Sequence, residues 1–203
     1  MAITVHKNDL PASLDFGSSV AVDSETLGLN TFRDKLCVVQ LSAGDGDAHL
    51  VQLDRSSYDC PNLKAVLADP AILKIFHFAR FDVAAFRHYL GVDTTPVYCT
   101  KIASKLVRTY TDRHGLKDLC REILGMDMSK QQQSSDWGAE TLSDAQKEYA
   151  AADVLHLHKL QAHLDKMLAR EGRTGMAQEC FDFLPTRVAL DLAGWSDEDI
   201  FAH

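Results

Sequence analysis

Positive charge is in short supply in this chain. Its 203 residues carry 21 lysines and arginines against 29 aspartates and glutamates, a formal net charge of −8. The sequence therefore lacks the broad basic footprint on which phosphate-backbone binding normally rests. A membrane-spanning apolar run is lacking too. Residues Met1 to Leu10 already include His6, Lys7 and Asp9, so neither a signal peptide nor a span is readable, and the expectation is a cytoplasmic protein with no membrane contact. Cysteine is sparse and unpaired: Cys37, Cys60, Cys99, Cys120 and Cys180 are odd in number with no close pair. That argues against a disulfide framework and a zinc site, and for reduced, mostly buried thiols. His156, His158 and His163 share one stretch without cysteine or carboxylate at zinc spacing, and read as packing or surface residues. Internal repeats, low-complexity tracts and linkers are also missing.

What is present suits one ordinary core. The chain is 46% hydrophobic and 25% charged, which is enough to fold as a single domain over residues 1–203. Ser19 to Asp23, Leu36 to Leu41 and Ala48 to Leu53 are short β-rich runs separated by turn-forming stretches, and predict an antiparallel meander. Pro61 to Ala68 reads as a short helix. Ile72 to Phe78 reads as a buried strand running into a helical pattern that Gly91 closes. Beyond Val97 the periodicity is helical: Lys101 to Tyr110, Leu116 to Leu124, one helix from Ser143 to about Arg170, and an amphipathic segment from Gly175 to Leu192. Ser143 has the makings of an N-cap, with Gln146 at the capping-box position. The sum is an α/β domain with a mixed sheet of roughly five strands and a helix-rich second half.

Three short motifs carry candidate chemistry. Asp23-Ser24-Glu25-Thr26 ends the first apolar strand, and the two-residue spacing puts both carboxylates on one face. Alone, the triplet also fits a solvated strand end. In His77-Phe78-Ala79-Arg80-Phe81-Asp82 a strand gives way to a helix, which places Asp82 in a first turn at the carboxyl edge of the sheet, where α/β proteins tend to bind ligands. A capping acid facing the helix dipole fits that position equally well. Tyr149-Ala150-Ala151-Ala152-Asp153 lies inside a helical stretch. Its four-residue spacing stacks the phenol one turn from the carboxylate. A merely solvated acid is out of place among Ala152, Val154, Leu155 and Leu157. Carboxylates without histidine or cysteine suit Mg²⁺ or Mn²⁺, which prefer oxygen ligands.

These residues resemble the DEDD exonuclease superfamily, whose ribonuclease H-like fold carries the same three motifs in the same order. Within it the likeness is to ribonuclease D, through Ser135-Asp136-Trp137, Leu142-Ser143 and Glu148-Tyr149-Ala150-Ala151-Ala152-Asp153-Val154, and it runs over residues 15–170. Tyr149 four before Asp153, with Glu148 five before it, points to the tyrosine branch. The resemblance implies a ribonuclease H-like sheet flanked by helices and a 3′→5′ exonuclease using two divalent cations, Mg²⁺ or Mn²⁺. Asp23, Glu25 and Asp153 would hold the first, and Asp23 and Asp82 the second. Tyr149 would orient the attacking water, since a phenol of pKa about 10 is protonated at neutral pH. Thr26 and Leu29 match contacts to the 3′-terminal nucleotide, Phe81 an aromatic near the scissile end, and Lys130 a basic residue that reaches phosphate. His77 joins them as a candidate substrate contact.

Two departures accompany the likeness. Phe78 stands where many relatives carry Asn. The helical C-terminal domains that usually follow in ribonuclease D are not expected here, residues 174–203 reading as a helical extension only. The expected partner is the 3′ end of a single-stranded nucleic acid, RNA ahead of DNA, yielding nucleoside 5′-monophosphates. Protein partners are unreadable. The alternatives are a DNA-directed 3′→5′ exonuclease on the same fold and a nucleic-acid binding module without turnover. Trp137 reads as core before base-stacking aromatic.

Overall fold

The β-rich runs do pair into one sheet, but with a strand more than the sequence predicts. The computed structural model describes residues 2–128, 132 and 134–203. The strands are β1 (Ile3–Lys7), β2 (Ser19–Thr26), β3 (Leu36–Ser42), β4 (Ala48–Gln52), β5 (Leu73–Phe76) and β6 (Val97–Cys99). Their order across the sheet is β1-β4-β3-β2-β5-β6. The meander β2-β3-β4 is antiparallel as expected, while β1, β5 and β6 join in parallel. Neither β1 nor the three-residue β6 is among the four runs the sequence singles out, and β1 is the harder of the two to foresee. Its five residues alternate only weakly, and its partner β4 lies far along the chain, so no local turn announces the pairing.

The helices are α1 (Pro61–Ala68), α2 (Ala79–Ala85), α3 (Thr100–Val107), α4 (Leu116–Leu119), α5 (Asp144–Leu155), α6 (Leu157–Arg170) and α7 (Thr174–Leu190). Wider π turns extend α2 to Leu90 and α4 to Leu124, and Gly91 and Gly125 end them with φ of 68° each. At that angle a Cβ is strained, so glycine is the fitting stop. The capping box on α5 forms as anticipated, Ser143 Oγ accepting from the Gln146 N–H at 3.3 Å.

Two helices end earlier than periodicity suggests. The stretch from Ser143 to Arg170 breaks at His156, whose φ and ψ of −108° and −6° separate α5 from α6. No Gly or Pro marks that break; α5 lies against β2, β3 and β4, while α6 lies against α3 and β5. α3 stops at Val107, not Tyr110, because Arg108 turns inward. Its guanidinium is buried and bonds the Arg113 carbonyl at 2.7 Å and Glu122.

β3 is buried over its whole length, so both faces of the sheet are covered at its centre, each large apolar side chain there contributing about 1.5–3 kcal/mol. The cysteines are free, four of them buried. His158 packs against Gly44, where a Cβ would meet the ring at 2.9 Å, in keeping with a packing role for that histidine. No helix among the described residues is long and apolar enough to cross a membrane.

Candidate active site

Each of the three motifs delivers its acid or acids from a different element. Asp23 and Glu25 leave the same face of β2, and β3 runs alongside so that Gln40 stands directly opposite Asp23. Gln40 Nε2 donates to Asp23 Oδ2 at 3.1 Å. Ser24 points the other way, and its hydroxyl donates to Asp82 Oδ1 at 2.6 Å. Asp82 sits in the first turn of α2, and Asp153 follows Tyr149 by one turn of α5. Oxygens of Asp23, Glu25 and Asp153 lie within 4.8 Å of one another. Asp82 stands outside that triad, yet near enough to repel Asp23 and Glu25.

Crowding and burial act together on these groups. Burial, then repulsion from Asp153 and Asp82, pushes Glu25 up to about 9. Burial raises Asp82 and Asp153 to about 7 each, against the opposing pull of the Ser24 and Tyr149 hydroxyls. Asp23 is raised well above the carboxylate range by burial first, then by Asp82, Asp153 and Glu25. Two like charges at 4.8 Å repel by roughly 3 kcal/mol or more at an effective dielectric constant of about 20. Such a triad is comfortable as three carboxylates only beside a compensating cation. The donors are all oxygen, which fits hard cations such as Mg²⁺ or Mn²⁺ and not zinc.

Tyr149 is half-buried, its ring 6.0 Å from that of Trp137. Its hydroxyl lies close enough to Asp153 for the two groups to influence each other. Burial, then the nearby carboxylates, holds the phenol above its ordinary pKa, so it stays protonated. Trp137 is buried, as a core residue would be, and still reaches the cleft wall.

The cleft encloses about 620 Å³ and has a second lining of different character, formed by His77, Phe78, Phe81, Lys101 and Lys117. His77 Nδ1 lies 2.9 Å from Thr100 Oγ1, whose own hydrogen goes to the Phe76 carbonyl at 3.1 Å. Thr100 is thus the acceptor, His77 carries its hydrogen on Nδ1, and Nε2 keeps a lone pair. Burial, then Lys101 and His114, pushes His77 down to about 3, so it is neutral.

Among the other residues singled out, Thr26 and Leu29 line the cleft. The Thr26 hydroxyl donates to the Gly28 carbonyl and so braces its own loop. Leu29 is 87% exposed. That loop is stapled by Asp34, which accepts the Asn30 N–H at 2.9 Å. Lys130 lies outside the described residues. Sequence reasoning passed over Ser24, Gln40 and Lys101. Only Gln40 left a signal, being a lone amide in the apolar run of β3.

Known proteins resemble this chain along most of its length. A model of the 3′-5′ exonuclease family matches residues 6–169. Ribonuclease D of Gluconacetobacter diazotrophicus is 35% identical over 182 residues, covering 90% of this chain and 43% of that relative. The chain thus spans about two-fifths of the curated relatives it matches first. Brucella melitensis NrnC with bound Mg²⁺ is 56% identical, with a TM-score of 0.96 and 100% of both chains covered. The same protein bound to pGG is 57% identical with a TM-score of 0.97, covering 100% of this chain and 99% of that one. Escherichia coli RNase D is 26% identical with a TM-score of 0.74, over 89% of this chain and 48% of that one. The chain therefore belongs to the 3′-5′ exonuclease family of hydrolytic nucleases, with ribonuclease D and NrnC among its relatives.

Proposed function

We propose that this protein removes nucleotides one at a time from the 3′ end of single-stranded RNA, releasing nucleoside 5′-monophosphates. The observation that carries this reading is the triad of Asp23, Glu25 and Asp153, whose oxygens converge within 4.8 Å, beside Asp82 and the Tyr149 hydroxyl. The triad would hold one divalent cation, and Asp23 with Asp82 a second. Bound there, two such cations supply Lewis-acid polarisation, a water more acidic than bulk and a counter-charge for the departing 3′-oxygen.

The chain's own side chains do the rest. Tyr149, kept protonated and close to Asp153, is an orienting hydroxyl for the attacking water and not the main base. Gln40 holds one oxygen of Asp23 and Ser24 one oxygen of Asp82, which orients both carboxylates. Thr26, Leu29, His77 and Phe81 line the cleft where the terminal nucleotide would sit. The choice of RNA is supported by a relative that bears the name ribonuclease D, and a full-length match is bound to pGG. Short RNA fragments fall within that substrate class. Residues 1–203 act in this reading as one exonuclease domain, with α7 laid against α2 and β6.

The test is incubation of the purified protein with matched 5′-labelled single-stranded RNA and DNA, in Mg²⁺, Mn²⁺ or EDTA, beside Asp153→Ala. A metal-dependent ladder shortening from the RNA 3′ end, absent in the variant, is the expected result. Equal attack on DNA would widen the substrate to nucleic acid in general. Binding of both strands without shortening would replace the nuclease with a binding module.

A further inference from the structure

Phe78 is held in a conformation that its side chain does not favour. As the residue that opens α2 it has φ and ψ of 70° and 45°, the left-handed region, where an aromatic residue is a genuine outlier and glycine or asparagine is at ease. Strain of this kind persists where surrounding structure over-determines it, and it collects at functional sites. The neighbours on both sides supply that constraint: His77 is bonded to Thr100 at 2.9 Å, and Ala79 is fully buried. The residue gains only partial burial in return. It is 45% exposed, so packing does not explain an aromatic here.

Its surroundings point to a ligand. The Lys101 ammonium lies 4.2 Å from the ring centroid, which covers part of one face and places a cation at the ring's edge of the cleft. Phe78 and Lys101 line the catalytic cleft and also an adjoining groove of about 280 Å³. That groove has an apolar floor, including Ile102, Phe183 and Leu184, and its charged lining residues are Arg80, Lys101, Lys105 and Arg187, with no acid among them. Arg80 and Arg187 are both tied to Asp191, which leaves Lys101 and Lys105 as the cations not committed to a carboxylate there. In a chain of net charge −8, an aromatic face with two lysines beside the reaction cleft is complementary to one kind of occupant: a flat base joined to a phosphate.

We propose that Phe78 and Lys101 form the seat of the nucleotide next to the one being removed, the base stacking on the open face of the Phe78 ring and its phosphate meeting the Lys101 ammonium. The seat rests on the exonuclease reading above and adds to it a residue pair that sets how tightly substrate is held. It also accounts for the strained backbone, since asparagine at this position would relax the turn and remove the stacking surface together.

The experiment compares wild type with Phe78→Asn, Phe78→Tyr and Lys101→Ala on an oligoribonucleotide carrying 2-aminopurine at the next-to-terminal position. Stacking on an aromatic ring is worth about tenfold in affinity per base. Phe78→Asn should therefore raise KM about tenfold with kcat nearly unchanged, abolish the quenching of 2-aminopurine on binding, and leave the melting temperature equal or higher. Phe78→Tyr should restore both KM and quenching, and Lys101→Ala should raise KM while flattening its dependence on salt. An unchanged KM and quench in Phe78→Asn would overturn the seat, as would a fall in melting temperature and kcat without a change in KM. Should the wild type hydrolyse nothing, the nuclease reading fails by itself, and fluorescence of the bound oligonucleotide still decides whether the seat exists.

Discussion

The two linings of the cleft solve opposite problems. On one, four acids are brought together under burial, and Glu25 is pushed up to about 9 while Asp82 and Asp153 reach about 7. On the other, His77 is stripped of charge, Phe78 is left open, and Lys101 Nζ sits over the ring. The first lining is incomplete without cations from solution, and the second is already shaped for an anion with a flat base. A net charge of −8 counts against nucleic acid as a partner only if charge is spread evenly. Here several of the acids lie where bound cations would cancel them, so the local field and the formal charge have different meanings.

That contrast can be broken most severely on the acidic side. Asp23→Ala or Asp153→Ala should lower kcat/KM on RNA by roughly 10³-fold, since a cation's contribution of several kcal/mol converts at tenfold per about 1.4 kcal/mol. Exposed Asp144→Ala is the control that should change nothing. Steady-state rates in Mn²⁺ decide it, and an active Asp153→Ala would remove the metal site from the reaction.

Tyr149→Phe is the next largest. Losing the hydroxyl that orients water should cost roughly 100-fold in kcat, while Mn²⁺ binding measured by calorimetry stays as in the wild type. An unchanged rate would end Tyr149's assigned part without touching the ligands.

Ser24→Ala sharpens the comparison within the acidic lining, because it frees Asp82 and leaves the triad alone. Partners of metal-bound carboxylates are worth about 10–100-fold in affinity or activity. The expected outcome is roughly a tenfold higher Mn²⁺ concentration for half-maximal rate. No shift would mean that the Ser24 bond at 2.6 Å is incidental.

The smallest effect is on stability. Glu25, Asp82 and Asp153 have folded-state pKa values raised above the ordinary carboxylate value of about 4. The folded chain therefore binds more protons than the unfolded one between about pH 4 and pH 9, and stability falls as pH rises through that window. Scanning calorimetry in EDTA should show the melting temperature dropping by a few degrees from pH 6 to pH 9, and Mn²⁺ should reverse the drop at the alkaline end. A flat profile would mean that these acids are solvated.

Much of this was legible in the residues because local pattern and tertiary role coincide there. Asp-x-Glu at a strand end, an acid in a first turn, and Tyr-x-x-x-Asp on a helix each have a spacing that fixes a shared face. The Ser143 capping box fixes where α5 begins. Other features depend on contacts that no local pattern encodes. β1 becomes a strand through pairing with distant β4, and the break at His156 separates two helices that pack on different elements. Ser24 looks like a spacer between two acids, yet its alternation to the other face of β2 is what brings it to Asp82. Phe78 was visible as a departure from its relatives, but its left-handed backbone and its lysine were not.

The reacting groups are also ordered in time. Translation delivers β2 first, then α2, and only much later α5 with Tyr149 and Asp153. A nascent chain, or a fragment ending before α5, holds Asp23, Glu25 and Asp82 without the residues that complete the set. All six strands of the sheet are therefore made before the last two members of the set.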